Sequence, residues 1–577
     1  ALSTRHLVWL AVAAITAGGL GLRLFAIGHG LPEQYVPDES TMVGGALRMG
    51  ASRSLQPGTF IYPAGLMYVF AAEYLGLLGF GTLTHTFSSV DQFKEFAFVD
   101  PTLFYLLPRV AVALAGTACI PVVFLLGRRL YGSTAGVASA FLLATSLMHV
   151  QMSHQARHWV PIALFTLVIL WVSLDLAEHG RRRDYLLSGI LVGLAFATSF
   201  NGILLLLMPV TAHVVRQLRV NSHRSSVFSP RQHLPLLATV ALAPVIFFAL
   251  NPYILLHFKE FAAFQTSGER SIGGQILGHY DSYLQQFLAR QAFGFFAEAT
   301  LAYEPAITIL GLAGAVIAVR GFRATALVVL AYPVFHYLMF ATTAPSTEQR
   351  YMLPAIVLLA LPAGLAASRI LSWAGKGGNA VRLGVSALLV VLAVLALLPA
   401  LRYDWVLAQA DTRTVAKDWI EANVPAGSDV AVEGYGPPLA PDLGSLRAQQ
   451  QAQPGSLGNR DQWVLDKGLP VGEVAYRLTR LNLVDTSPVV DNVTPYLLQN
   501  PHRYFVVSDF RWKSDHLGHT GLKAYLARNG RLVRGFYPSA DGSYVPSDLL
   551  NNMEDPLFEL FKVERPGPRI ELYEVAP

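Results

Sequence analysis

Long apolar runs separated by short basic loops set the rhythm of the first four hundred residues. About 20 mostly apolar residues are needed to cross a hydrocarbon core about 30 Å thick. Runs of that kind stand at 7–27, 105–126, 134–151, 159–177, 185–200, 202–218, 234–255, 301–319, 324–341, 351–373 and 381–400. The pattern predicts about eleven transmembrane helices, the first retained, since no small-residue cleavage site follows it. Two longer polar stretches interrupt the rhythm, at about 28–104 and about 256–300, the second with a GERSIGG turn at 268–274. Within the first, the apolar stretch Tyr62 to Phe80 begins YPAG and is expected to be an interfacial or re-entrant helix.

After residue 400 the pattern changes to that of a water-soluble fold. DTRTVAKDWIEAN (411–423) has a helical period, DVAVE (429–433) reads as a strand, and RYFVVSD (503–509) as a buried strand. LKAYLARNG (522–530) reads as a helix closed by Gly530. The end, LFKVERPGPRIELYEV, predicts a two-strand hairpin around Pro566–Pro568, and the Gln-, Pro- and Gly-rich stretch 434–470 predicts a loop. Strands alternating with helices indicate a small α/β layer structure. The expected architecture is an α-helical polytopic membrane protein, residues 1–400, with a C-terminal soluble α/β domain, residues 401–577.

Composition agrees with a membrane chain: 53% of residues are hydrophobic, 14% charged, and the mean hydropathy is +0.42. Soluble domains carry about 25% charged residues. Residues 1–400 hold 25 Lys and Arg against 16 Asp and Glu, and residues 401–577 hold 18 against 22. The basic excess lies between apolar runs, so the pI near 9.1 does not point to nucleic acid. With the N-terminus in the cytoplasm, Arg128–Arg129, Arg181–Arg183, Arg216 to Arg231, Arg320, Arg323, Lys376 and Arg382 all fall inside, as the bias of basic residues to cytoplasmic loops requires. The tail is then periplasmic or extracellular, and the expected location is the inner (plasma) membrane. One cysteine, Cys119, excludes an intramolecular disulfide and a cysteine-based metal cluster.

Charged residues at membrane boundaries are the candidates for chemistry. Asp38 and Glu39 in VPDESTMVGG supply a carboxylate pair suited to general-base catalysis; the structural alternative is that Asp38 caps the helix that follows. Arg109 at the start of the second run, Arg157 in HQARHW and Arg350 in TEQRYMLP all fall on the outer side, where guanidinium groups suit a phosphate. The alternative for them is contact with lipid headgroups. His154 and His158 are four residues apart, a spacing compatible with a metal, but no third ligand is assigned and the expectation is no metal site. Those two histidines, Tyr62 and Glu348 are candidates for substrate contact.

The carboxylate pair after the first run, the YPAG segment, LLPRVAVALAGTACIPVVFLLGRRLYG and HVQMSHQARHWVP together resemble the GT-C glycosyltransferases of the protein O-mannosyltransferase and aminoarabinose-transferase kind. TEQRYMLPAIVLLALPAG and DTRTVAKDWIEANVPAGSDV are similar to bacterial members. The resemblance covers the membrane part and the start of the tail. It implies transfer of a sugar from a polyprenyl-phosphate donor to a protein, lipid or glycan acceptor at the outer face, with inversion. It implies Asp38 as base, Glu39 as its essential neighbour and Arg109 as the arginine opening the second helix. Many members have an acidic residue just after the second outer-loop arginine, whereas Arg157 is followed by His158 and Trp159. No cofactor is called for; a divalent cation is compatible but nothing in the pattern indicates one. Membrane lipids and membrane complex partners complete the expected contacts. A non-catalytic assembly or scaffolding subunit, and a multi-span lipid or sugar transporter, are the alternatives.

Overall fold

The computed structural model describes residues 3–36, 38–220, 230–266, 291–321, 323–343, 348–452, 454–468, 474–481, 493–514 and 516–576. The GERSIGG turn expected at 268–274 lies outside these residues. The chain builds two compact units: one from Ala1–Ile27, Val36–Phe93 and Leu103–Tyr403, the other from Gly28–Tyr35, Lys94–Thr102 and Asp404–Pro577.

The helices run in the order α1 (Thr4–Leu24), α2 (Glu39–Ser52), α3 (Gly65–Leu83), α4 (Val90–Val99), α5 (Thr102–Tyr131), α6 (Ser133–Ala144), α7 (Leu147–Ser153), α8 (Trp159–His179) and α9 (Arg182–Thr198). A 3-10 turn, Phe200–Leu206, leads into α10 (Leu207–Val220), followed by α11 (Pro230–Leu250), α12 (Pro252–Leu256) and α13 (Phe258–Thr266). Then come α14 (Gln291–Tyr303), α15 (Pro305–Gly321), α16 (Arg323–Thr343), α17 (Leu353–Ala374), preceded by the turn Gln349–Met352, and α18 (Asn379–Leu407). Among the described residues, nine helical segments are long and apolar enough to cross a membrane, and eleven if α6 with α7 (bent by 56°) and α14 with α15 (bent by 111°) each count as one. The chain is a multi-pass α-helical membrane protein. The run expected at 185–200 forms α9, whose 17 residues fall just under that length.

Small residues let these helices approach closely, as is usual where lipid removes the hydrophobic drive for association. A Cβ on Gly364 of α17 would lie 2.3 Å from Ala135 O of α6, and one on Gly314 of α15 would lie 1.8 Å from Pro362 O. On α5, a Cβ at Gly116 would lie 2.5 Å from Ser153 Oγ and 3.2 Å from Val160. The glycine of RVAVALAG therefore lets α5 lie against the segment joining α7 to α8.

The YPAG stretch becomes α3, 19 residues long, enough by length and hydropathy to span. Its contacts reach the end of α11 and the start of α5. The Ala64 N–H before it donates to Asn251 Oδ1 at the end of α11, 2.8 Å away. Tyr74 OH, midway along it, donates to Phe104 O at the start of α5, 2.6 Å away. Beyond its middle, Gly81 packs on Phe87, which meets Phe93, which in turn meets Phe104.

In the second unit a five-stranded sheet forms from β1 (Asp429–Glu433), β2 (Arg477–Leu481), β3 (Tyr504–Asp509), β4 (Gly530–Phe536) and β5 (Arg569–Val575), in the order β2-β1-β3-β5-β4. The first three are parallel, and β5 runs antiparallel to both β3 and β4. Alternate residues face opposite sides. Val430, Val432, Tyr504 and Val506 pack with Ala416 and Ile420 of the helix Thr412–Asn423. Ala431, Phe505 and Val507 pack on the other side with Leu522, Tyr525 and Leu526 of the helix Leu517–Asn529. The unit also holds Tyr35, whose OH lies 2.9 Å from Thr414 Oγ1 and whose ring lies under Arg413, and Phe98, stacked on Trp463.

Two expectations for the tail are corrected. The terminal hairpin does not form: Asp555 and Pro556 start a helix, Pro556–Lys562, whose apolar residues repeat with a helical period. The strand β5 finds its partners far away in sequence. The stretch 434–470 holds two helices, Leu443–Ala452 and Asn459–Lys467, because Ala, Leu, Gln and Arg favour helix between the Pro- and Gly-rich ends. Gly530 does end its helix, but in extended geometry and as the first residue of β4.

Candidate active site

The two carboxylates after α1 are treated very differently by the fold. Glu39, in the first turn of α2, is fully buried. It receives a two-pronged bond from Arg109 of α5, Nε to Oε1 at 2.9 Å and Nη2 to Oε2 at 2.7 Å, and a third bond from the Ala156 N–H at 2.7 Å. Arg109 is also fully buried and donates through Nη1 to Ile27 O at 2.9 Å. The sequence reading paired Glu39 with Asp38 in catalysis and gave Arg109 to a phosphate; in the structure Glu39 and Arg109 bond to each other.

Asp38 takes a left-handed backbone, φ +67°, and its side chain makes no capping bond to α2. The capping alternative therefore fails. Aspartate tolerates this conformation better than most residues, and it turns the carboxylate away from the helix it precedes. Oδ2 accepts from Arg157 Nη2 at 2.6 Å and lies 4.0 Å from Arg350 Nη2. The Asp38 side chain is 41% exposed, against 2% for Arg157 and 5% for Arg350. An accessible carboxylate thus sits against two buried guanidinium groups.

The turn carrying Arg157 joins α7 to α8, and Glu39 fixes it through the amide of Ala156. Arg350 lies in the 3-10 turn Gln349–Met352 ahead of α17, pairs with Glu348 and lies over the Tyr351 ring. Tyr62 lies against His158, the rings tilted by 46° with centres 5.1 Å apart. Burial raises the Tyr62 phenol above its usual range, helped by the charge of Asp38 and opposed by Arg157 and Arg350, so it is a neutral hydrogen-bonding group. His158 is held well below the usual imidazole range by burial and by the same two arginines. Among the described residues, neither His158 Nδ1 nor Trp159 Nε1, both buried, has a hydrogen-bond partner.

His154 is not brought to the site. Its Nδ1 lies 2.9 Å from Val150 O and its Nε2 2.9 Å from Phe25 O, so backbone carbonyls engage both nitrogens. It ties α7 to the end of α1. Among the described residues, the one cluster with metal-ligand spacing is Asp175, Glu178 and His179, whose two carboxylates pair with Arg129.

Two aromatic residues beside the site escaped the sequence reading. Trp159 packs against His158 and Tyr351, with ring centres 4.5 and 5.3 Å away. Both stand at the starts of apolar helical segments, where they read as ordinary span residues. An apolar cavity of about 270 Å³ is lined by Gly65 and Leu66 of α3, Ala111 and Ala115 of α5, Pro161 and Phe165 of α8, and Leu194 and Thr198 of α9.

Residues 107–249, which include Arg109 and Arg157, match the family model described as dolichyl-phosphate-mannose-protein mannosyltransferase. Among curated proteins, no match is found. Among solved structures, the chain is similar to ArnT from Cupriavidus metallidurans bound to undecaprenyl phosphate, at 17% identity over 100% of this chain and 99% of that one, with a TM-score of 0.45. It is also similar to the oligosaccharyltransferase AglB from Archaeoglobus fulgidus in complex with an inhibitory peptide and a dolichol-phosphate, at 11% identity over 99% and 88% of the two chains, TM-score 0.48. A third likeness is to the Pmt1-Pmt2 complex of S. cerevisiae bound to the sugar donor, at 17% identity over 47% and 35%, TM-score 0.32. The chain resembles the GT-C glycosyltransferases.

Proposed function

We propose that this protein is a membrane glycosyltransferase that moves a sugar from a polyprenyl-phosphate donor to a hydroxyl or amine acceptor at the outer face of the membrane. The observation that carries the reading is Asp38, an accessible carboxylate on a strained turn, held against the buried arginines 157 and 350. Asp38 removes the proton from the acceptor. The acceptor heteroatom then attacks the anomeric carbon as its bond to the phosphate oxygen breaks, and the configuration inverts. The electron pair leaves with the phosphate, where Arg157 and Arg350 offset the charge in a site of low dielectric. Glu39 and Arg109 are positioning residues: they hold α2, α5 and the Arg157 turn together. The apolar cavity lined by α3, α5, α8 and α9 suits the first isoprenoid units of a lipid carrier.

Orientation belongs to the same reading. The loops at 38–39, 154–158 and 348–350, which the distribution of basic residues puts outside, supply the one cluster. The site therefore faces the periplasm or cell exterior, and residues 401–577 lie on that side.

The test is transfer of labelled sugar by the full chain in liposomes. Polyprenyl-phosphate donors carrying hexose, pentose and aminopentose are compared with the matching nucleotide sugars. Turnover from a lipid-phosphate donor and none from nucleotide sugars is expected. Turnover from nucleotide sugars alone would overturn the proposal.

A further inference from the structure

The second unit contains polar and aromatic groups that the reaction above does not use. They gather at the carboxyl ends of β1 and β3. The chain leaves β1 for β2 on one side and returns to β3 on the other, so the direction of winding reverses between these two neighbours. In open α/β sheets the crevice outside the strand ends at such a reversal is where ligands bind.

Two short segments leave the sheet there. After β1 comes Gly434-Tyr435-Gly436, with Tyr435 at φ +68° and 43% exposed. A tyrosine in the left-handed region is strained, and strain of this kind is kept where the surroundings over-determine it. The surroundings here are specific: Gly434 O accepts from Lys513 Nζ at 3.0 Å and from Ser508 Oγ at 2.5 Å. After β3 comes Phe510, then Trp512 in the turn Arg511–Lys513. Tyr435 stands edge-on to both rings, 5.5 Å from Trp512 and 6.1 Å from Phe510, while Phe510 and Trp512 are parallel. The outcome is an aromatic corner made by Tyr435 and the half-buried Trp512, with Phe510 buried behind.

Polar groups flank the corner. Asp509, the last residue of β3, is buried, with Oδ1 3.1 Å from His519 Nε2 and Oδ2 accepting from Lys523 Nζ at 2.7 Å; it holds the ammonium of Lys523, whose side chain is 43% exposed. Beneath lie Glu433, His519 and Lys513, all buried and bonded to one another. Removing such charges from water is costly, and here they fix the two segments that carry the rings. A pyranose or furanose ring has an apolar C–H face, which suits an aromatic surface, and a hydroxyl rim, which suits a carboxylate with an ammonium beside it.

We infer that the aromatic corner of Tyr435 and Trp512, with Asp509 and Lys523 next to it in the fold of the second unit, is a saccharide-binding site. Its occupant is a neutral oligosaccharide, one ring on the aromatic corner and its hydroxyls on the polar pair. The inference does not depend on the transferase reading, because it is tested by binding and not by turnover.

The experiment uses the full chain in a zwitterionic, sugar-free detergent and titrates mannotetraose, maltotetraose, chitotetraose and an arabinofuranose tetrasaccharide by saturation-transfer NMR. Millimolar binding of at least one is expected. Tyr435→Gly removes the ring and is the gentlest variant for the fold, since glycine adopts positive φ freely. It and Trp512→Ala should each weaken that binding about tenfold or more, whereas Tyr435→Phe leaves it unchanged. No millimolar binding by any of the four, or equal binding by folded Tyr435→Gly and Trp512→Ala, would overturn the inference.

Discussion

Asp38 and Glu39 are adjacent in the chain yet reach different arginines: the accessible Asp38 meets the buried Arg157, and Glu39 meets Arg109 in the interior. The two contacts are linked on the other side as well, because Glu39 also holds the amide of Ala156, next to Arg157. One dipeptide therefore faces another, and the buried half of the arrangement aligns the exposed half. In the proposed reaction this division separates catalysis from stability, and each half can be tested alone.

Asp38→Asn should fold normally and lose most turnover. Asparagine keeps the size and tolerates the left-handed backbone, and no capping bond is lost, since Asp38 makes none. A general base contributes roughly 10²- to 10⁴-fold, so transfer from the polyprenyl-phosphate donor should fall by about that factor at unchanged melting temperature. Near wild-type transfer at equal abundance would leave Asp38 a structural residue.

Glu39→Gln and Arg109→Ala should act on stability first. Each leaves the other's charge buried and uncompensated, which costs about 3–5 kcal/mol. The expected result is a large drop in melting temperature and in the folded fraction extracted from membranes. Donor affinity of whatever remains folded should change far less. A variant of Arg109 with wild-type melting temperature and weakened donor binding would return that residue to the phosphate.

Much of this was legible in the sequence, for reasons that differ by residue. Membrane-crossing runs show because hydropathy is a local property. Asp38, Arg157 and Arg350 show because charge at a membrane boundary is costly. That Glu39 and Arg109 satisfy each other does not show, since they are 70 positions apart and hydropathy carries no pairing information. Trp159 and Tyr351 are hidden for the opposite reason: they count as apolar positions at the starts of helical segments. In the tail, β1 and β3 stand out as buried apolar strands. By contrast β2 (RLTRL) and β4 (GRLVRGF) carry arginines and lie at the two edges of the sheet, where one side of the strand meets water.

Donor binding should depend on Arg157 and Arg350 in different ways. Arg350→Gln removes a charge-assisted contact worth about 1.5–3 kcal/mol, so affinity for the lipid-phosphate donor should fall about tenfold or more. Arg157→Lys keeps the charge but loses the planar fork, and it also loosens Asp38; both donor affinity and turnover should fall. Isothermal titration with an undecaprenyl-phosphate probe in nanodiscs reads the first effect without turnover. Wild-type affinity in Arg350→Gln would remove that residue from the phosphate site.

The second unit should show a pH dependence set by His519. Its Nδ1 lies 2.7 Å from Glu433 Oε1 and its Nε2 3.1 Å from Asp509 Oδ1, so a ring protonated at both nitrogens fits best. Burial lowers its affinity for the proton, but the bonds to Asp509 and Glu433 outweigh this and leave it raised above the usual range, with Lys513 opposing. Asp509 moves the other way: burial raises it, yet bonds from His519 and Lys523 hold it at about 2. A raised histidine stabilises the fold fully below its unfolded value of about 6.5, and that contribution disappears as pH rises through the raised folded value. A depressed carboxyl stabilises above its unfolded value of about 3.9 and loses this as pH falls through about 2. Stability of the unit should therefore be greatest between roughly pH 4 and 6.5 and decline on the alkaline side. Hydrogen-exchange protection of β1 and β3, corrected for intrinsic rates, measures it in the full chain. His519→Gln keeps a hydrogen-bonding side chain without the titration, so its alkaline decline should flatten. The same decline in wild type and His519→Gln would assign the pH dependence to other groups.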